Sequence, residues 1–240
     1  PKRARPPLQR TIRCSGRSPN GAVNEFGTCP PYSLTRAGVI MIFSRTCSGC
    51  GRRTRSICGD CRNALLAGKV NNVPGAPPGV VYAVAYEGCA RQLILGLKYR
   101  NERGSARILA DVLVHRLNSD QRGADVVTWA PTSSHRRRQR GHDQAELIAR
   151  AVARQIRRPC RSLLVRESLT SQTGSGRQQR LRGPQFRARG WRGFSHVLVI
   201  DDVVTTGATL RAAAQALRMA GVVQVSTVAV AATPAPGSRR

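Results

Sequence analysis

The sequence is short of aromatic residues, short of acidic residues and without a long apolar run, and each shortage argues against a class of function. Phe, Trp and Tyr make up 4% of the 240 residues. That is thin material for the stacked ring platforms on which single-stranded nucleic-acid binders lay successive bases. Only 12 Asp and Glu stand against 40 Lys and Arg, a formal charge of +28. The expected partner is anionic, and phosphorylated metabolites, nucleic acid or a membrane surface all satisfy charge alone. No stretch approaches the roughly 18 apolar residues of a bilayer-spanning helix. The run Gly38 to Phe43 is shorter than a secretory h-region, so the expected location is cytoplasmic.

What is present begins with cysteine. Four of the eight cysteines form two Cys-x-x-Cys pairs, Cys47/Cys50 and Cys58/Cys61. Two intervening residues, one of them Gly, let both sulfurs of a pair turn toward one tetrahedral ion. In a reducing compartment such pairs read as a structural zinc module, with two redox dithiols as the competing reading. Arg52, Arg53 and Arg55 between the pairs would favour the thiolate form. Cys14, Cys29, Cys89 and Cys160 have no partner at ligand spacing and read as ordinary thiols.

Residues 1–45 mix Pro, Gly, Arg and Ser without period and read as a disordered leader. Met41 stands just before the cysteine module, so residues ahead of it are left open as part of the functional protein. The expected module covers 46–70, and a polar, Pro-containing linker runs from Asn71 to Gly79. Val80 to Tyr86 then reads as a strand. Helix faces follow at Ala90, Leu93, Ile94 and Leu97 and at Leu109, Val112, Leu113 and Leu117, with a basic loop, Lys98 to Gly104, between them. Asp125 to Ala130 predicts a strand closed by Pro131. It feeds a basic loop, Thr132 to Gly141, and a helix with apolar rows Leu147/Ala151 and Ile148/Val152/Ile156. Ser162 to Val165 reads as a short strand, and Ser168 to Gly193 as a flap or disordered segment without a core face.

The stretch around which the rest is arranged is Val197 to Leu210, VLVIDDVVTTGATL. A continuous apolar run, Val197 to Ile200, is the signature of a strand buried on both faces. Apolar residues Leu210, Ala213, Ala214 and Leu217 then mark a helix, closed by Gly221, and Val222 to Ala232 supplies a last strand before a disordered tail, 233–240. A Thr/Gly turn between strand and helix leaves N–H groups free at a helix N-terminus and suits a phosphate. Asp201 and Asp202 beside it need another partner, such as sugar hydroxyls or a divalent cation. Alternating strands and helices predict an α/β fold, a mostly parallel sheet with helices on both faces over 80–232, plus the small N-terminal zinc module.

Val199 to Leu210 resembles the phosphoribosyl-pyrophosphate loop of type I phosphoribosyltransferases, in which two acidic residues precede a Thr/Gly turn. The finer resemblance, over Thr46 to Ala232, is to the ComF family of competence-associated proteins. The four-cysteine module, Leu97-Lys98-Tyr99 and Arg140-Gly141-His142-Asp143-Gln144-Ala145 carry it. His142 and Asp143 stand where that family usually has Phe and Asn. The resemblance implies that Asp201 and Asp202 accept hydrogen bonds from ribose hydroxyls. It implies that Thr205, Thr206, Gly207, Ala208 and Thr209 surround the 5'-phosphate, with Val203 and Val204 also among the ligand-binding residues. Pro131 to Arg138, with Pro131, Thr132, Ser133, Arg136 and Arg137 as the ligand-binding residues, would be the pyrophosphate loop, its arginines facing the leaving group, and Lys98 and Arg140 would also bind the ligand. The implied cofactors are structural Zn2+ and Mg2+ carried with phosphoribosyl pyrophosphate. The implied reaction is transfer of the phosphoribosyl group to a nitrogen acceptor, linked to DNA uptake or nucleotide salvage. The alternative is a noncatalytic competence protein that binds single-stranded DNA, contacts DNA-uptake proteins or senses phosphoribosyl pyrophosphate.

Overall fold

In the computed structural model, the described residues are 46–54, 57–68, 73, 76, 80–167, 184–190 and 193–233. All fall in the unit Phe43–Arg240. The expected leader, the tail beyond Thr233 and most of the expected flap lie outside them.

Four strands make one parallel sheet: β1 (Val81–Ala85), β2 (Val126–Trp129), β5 (His196–Val204) and β6 (Gln224–Ala232), in the order β1-β6-β5-β2. Every pairing in it is parallel. Alternation along β5 explains its uninterrupted apolar run. Leu198 and Ile200 face one core cluster, with the helices α2 (Gly88–Tyr99), α3 (Ser105–Arg116) and α6 (Gln144–Gln155). Val197 and Val199 face a second cluster, with α7 (Ala208–Met219) and the small hairpin of β3 (Leu164–Arg166) and β4 (Phe186–Ala188). A strand covered on both faces has no polar side to alternate with. The expected α/β architecture is the one observed, with helices on both faces of a parallel sheet.

The predicted helix faces are the buried ones: Leu93, Ile94 and Leu97 of α2, Leu109 and Leu113 of α3, and Leu210 and Leu217 of α7 are all buried. Four elements differ from the sequence reading. The arginine stretch read as a basic loop is helix α5 (Ser134–Arg140). It buries no residue, so it leaves no apolar period to detect; the Ser133 hydroxyl caps it by accepting the Arg136 N–H at 3.4 Å. A one-turn helix α4 (Ser119–Arg122) is held by a capping box in which Asn118 and Gln121 exchange bonds. Strand β4 lies inside the stretch read as flap or disorder, paired antiparallel with β3. Lys98 is in the last turn of α2, not in a loop.

Val73, within the expected linker, is buried and donates its N–H to the Tyr82 hydroxyl at 3.1 Å. Thr233, assigned to the tail, donates its N–H to the Val204 carbonyl and so extends the last strand's pairing.

The helix α1 (Gly59–Ala67) carries the second cysteine pair into the fold. Leu65 joins the core cluster of α2 and α3. Arg116 of α3 donates to the carbonyls of Leu66 and Gly68, both at 2.7 Å, which satisfies free acceptors at the end of α1.

Candidate functional site

The cavity sits where β5 outruns its neighbour. Strand β2 stops at Trp129, opposite Ile200, while β5 continues to Val204 beside β6 alone. Asp201 and Asp202 therefore occupy a strand with no partner on the β2 side, and Pro131 turns the chain away from it. The opening is a cavity of about 330 Å³. One wall holds Asp201, Asp202, Val203, Thr205 and Thr209; another holds Pro131, Thr132 and Arg136; Lys98 and Arg140 close the side. This is the carboxyl end of a parallel sheet, where α/β folds bind ligands.

The Thr/Gly turn enters α7 through Gly207, the N-cap, at φ 74°. A side chain at that left-handed position is strained, so glycine lets the backbone turn tightly into the helix. The first-turn N–H groups of α7 have no intrahelical acceptors and, with the helix dipole, favour an anion. Thr205 and Thr209 line the cavity; Val204 is buried behind it, and Thr206, Gly207 and Ala208 form the turn without lining it. The Thr206 hydroxyl accepts the Ala208 N–H at 3.4 Å.

The carboxylates are tightly held. Lys98 Nζ lies 2.8 Å from Asp202 Oδ2, with both side chains less than one-fifth exposed. Asp201 Oδ1 accepts the Asp202 N–H at 2.8 Å. Burial, then the adjacent Asp202 charge, holds the Asp201 carboxyl well above the usual carboxylate range. Asp143, the N-cap of α6, is buried and ties two loops together. Its Oδ2 accepts the Thr132 N–H at 2.8 Å and its Oδ1 the Ala145 N–H at 3.1 Å. Burial raises its pKa against the opposing N–H groups of Thr132 and Glu146, and the Asp202 charge adds to the rise.

Of the basic residues expected at the site, Arg136 and Arg140 line the cavity. Arg140 is braced by Gln144 Oε1 at 2.8 Å and lies 5.2 Å from the Tyr99 ring centroid. Arg137 does not line it: it is exposed and sits 3.6 Å from Glu146 Oε2. Ser133 serves as the α5 cap.

Sequence reading did not nominate Arg166, Asp143 or Gln144, all of which line the cavity. Arg166, on β3, packs 5.7 Å from the Phe186 ring centroid. Burial lowers its pKa, the Arg136 charge lowers it further, and the Asp201 and Asp143 charges oppose this. A lone Arg beside an apolar triplet carried no signal. Asp143 and Gln144 were present in the quoted Arg-Gly-His-Asp-Gln-Ala string but were not assigned a contact.

The cysteine pairs form a second centre. The sulfurs of Cys47, Cys50, Cys58 and Cys61 all lie within 4.8 Å of one another. Cys47 to Cys58 is 3.7 Å and Cys50 to Cys58 is 3.6 Å. A tetrahedral ion with metal–sulfur bonds of about 2.3 Å requires sulfur spacings of about 3.8 Å, so the donor set fits such an ion. Cys47 Sγ also accepts the N–H groups of Gly49 at 3.4 Å and Cys58 at 3.3 Å. Burial pushes the Cys47 thiol up, but the N–H groups of Cys58, Cys50 and Gly49 outweigh it and bring it down to about 6. Arg52 pairs with Asp60 at 2.7 Å.

Parallel sheet, Asp-Asp strand end and phosphate-type turn together define a phosphoribosyltransferase-type domain. Residues 142–240 match the family model of the phosphoribosyl transferase domain. The chain is 27% identical over 198 residues to Competence protein F of Haemophilus influenzae, covering 75% of this chain and 86% of that protein. It is 28% identical over 196 residues to the DNA utilization protein YhgH of Escherichia coli, again covering 75% of this chain and 86% of that protein. The resemblance to the ComF family read from the motifs thus holds over three-quarters of the chain. Among solved structures, orotate phosphoribosyltransferase from Aeropyrum pernix aligns with a TM-score of 0.38 and 20% identity, covering 62% of this chain and 67% of that one.

No helix among the described residues is long and apolar enough to cross a membrane.

Proposed function

We propose that the chain binds phosphoribosyl pyrophosphate with Mg2+ at the β5 strand end and transfers the phosphoribosyl group to a nitrogen acceptor. The observation that carries this reading is the one cavity shared by Asp201, Asp202, Thr205 and Thr209 with Pro131, Thr132 and Arg136. Its two ends suit a sugar with phosphate at both ends. The Thr205 to Thr209 turn and the α7 N-terminus receive the 5'-phosphate, Asp201 and Asp202 accept from ribose hydroxyls, and Thr132, Arg136 and Arg140 face the pyrophosphate. Mg2+ keeps waters and takes few protein ligands, so it fits a site whose carboxylates are few and whose anion brings its own oxygens. When bound, it neutralises charge developing on the departing pyrophosphate.

The residues then do three things. Asp201 and Asp202 orient the ring, Arg136 and Arg140 stabilise the leaving group, and Lys98 holds Asp202 until a ligand competes for it. Positioning and electrostatic stabilisation are what a displacement through a cationic sugar centre requires. In this reading the module over 46–70 is a structural zinc site, since four thiolates leave no open position for a substrate. The catalytic domain covers 80–233, one residue beyond the expected boundary, because Thr233 continues the pairing of the last strand.

A screen of free purines, pyrimidines and related nitrogen acceptors for pyrophosphate release is expected to give turnover with at least one. If phosphoribosyl pyrophosphate binds and no acceptor releases pyrophosphate, the sensor reading replaces the enzyme.

Helix α5 favours a second reading. It buries nothing and exposes Arg137 and Arg138 beside the cavity, on a strongly basic chain. Such a surface binds single-stranded DNA through phosphate contacts, and counterion release then makes affinity fall steeply with salt. In fluorescence anisotropy with a labelled oligonucleotide, the DNA reading expects tight binding at low salt and loss on Arg137→Ala with Arg138→Ala. Negligible binding at physiological salt removes it.

A further inference from the structure

A fifth cysteine lies against the four-cysteine centre. Cys89 has no partner at ligand spacing in the sequence, yet it stands in the first turn of α2 and packs against the core cluster. Its sulfur shares one space with the sulfur of Cys61. The two sulfurs meet over Gly49, in the middle of the first Cys-x-x-Cys pair. A Cβ on Gly49 would overlap Cys89 Sγ and lie 2.8 Å from Cys61 Sγ and 3.2 Å from Cys61 Cβ. The first pair is therefore shaped around both sulfurs, and only a glycine leaves them that space.

Cys160 shows the contrast. It is also a described cysteine outside the pairs, but its charged neighbours are Arg150, Glu146 and Arg161, with no thiol among them. Cys89 also falls outside the group of four mutually close sulfurs. A tetrahedral ion has no fifth place, so Cys89 can join only by displacing a ligand, and the ligand sulfur that shares its space over Gly49 is that of Cys61.

We propose that Cys89 is an exchange ligand of the metal centre, competing with Cys61 for one coordination position. The exchange breaks one metal–sulfur bond and forms another; the proton lost by the incoming thiol goes to the departing thiolate, directly or through water. The metal thereby links α1, which carries Cys61, to α2, which carries Cys89 at one end and the cavity residue Lys98 at the other.

This inference rests on the metal reading of the four cysteines, and Co2+ titration of the full chain tests the two separately through thiolate-to-cobalt charge-transfer absorption. A four-thiolate spectrum is expected for the unmutated protein, and its absence would remove both. Cys61→Ser is expected to keep the four-thiolate intensity, because Cys89 enters, while Cys61→Ser with Cys89→Ser loses the share of one thiolate. Cys89→Ser alone keeps four. If Cys61→Ser matches the double variant, Cys89 is not a ligand. Because Cys61→Ser risks misfolding, limited alkylation of the unmutated zinc-loaded chain with peptide mapping gives an independent readout. Label divided between Cys61 and Cys89 is expected; label on Cys89 with none on Cys61 would overturn exchange.

Discussion

Replacing Asp201 and Asp202 together by Asn is expected to weaken phosphoribosyl pyrophosphate binding by at least about 100-fold, the equivalent of about 3 kcal/mol. Each carboxylate offers acceptors to ribose hydroxyls, and hydrogen bonds to charged groups contribute about 1.5–3 kcal/mol apiece. Calorimetric titration of the double variant against the unmutated chain measures the loss. An unchanged affinity would place the sugar elsewhere.

The single change Asp201→Asn should also act on folding, in the opposite direction. The Asp201 carboxyl is held above its ordinary range by burial and by Asp202. Its stability contribution is fully present below the unfolded-state value and is lost as pH rises toward the folded-state value. Above the unfolded-state value the folded chain must either hold a proton that the unfolded chain releases or bury the charge, and a neutral Asn relieves that cost. The variant is expected to melt a few degrees higher than the unmutated chain at pH 7, with the gap closing toward pH 4. A lower melting temperature at pH 7 would mean that Lys98 and the Asp202 N–H already offset the burial of charge.

The second large effect concerns the cysteine centre. Removing its metal with a strong chelator is expected to unfold the module, because structural zinc contributes on the order of 10–16 kcal/mol in small metal-dependent modules. Among the described residues, the other ties on the cysteine loops are short-range or peripheral: Cys47 N–H bonds to the Arg52 carbonyl at 2.7 Å, Arg52 pairs with Asp60 at 2.7 Å, and α1 is anchored by Leu65 and by Arg116 at its end. Cys47→Ser should reproduce the chelated state. Elemental analysis is expected to give one equivalent of zinc for the unmutated chain. Amide exchange is expected to rise across 46–67 on removal while the β5 and β6 amides stay protected. A metal-free chain with unchanged protection over 46–67 would show that the module needs no ion.

The parts of the fold written as periodic burial were legible in the sequence. Strand β5, helix α7 and the buried faces of α2 and α3 could be read because a strand covered twice is apolar throughout and a helix covered once repeats every three to four residues. The two Cys-x-x-Cys pairs were equally legible, since ligand chemistry restricts both residue type and spacing. Helix α5 was not, because it buries no residue and arginine serves helix and loop alike.

The candidate site was read unevenly for a related reason. Asp201, Asp202, Thr205 and Thr209 come from one contiguous string, and the structure brings them to one cavity. Arg166 and Cys89 depend on which strand and which helix the fold sets beside that string and beside the knuckles. Such neighbours are set by tertiary packing and leave no local pattern. Arg137 shows the converse: a residue in a basic run beside the site that is exposed, off the cavity wall, and 3.6 Å from Glu146.

The account stands most directly on what the β5 strand end holds. Isothermal titration of the intact chain with phosphoribosyl pyrophosphate, with and without Mg2+, is expected to show saturable one-site binding that strengthens with Mg2+ and disappears in the Asp201→Asn, Asp202→Asn variant. No binding by the unmutated chain in either condition would contradict both transfer and sensing.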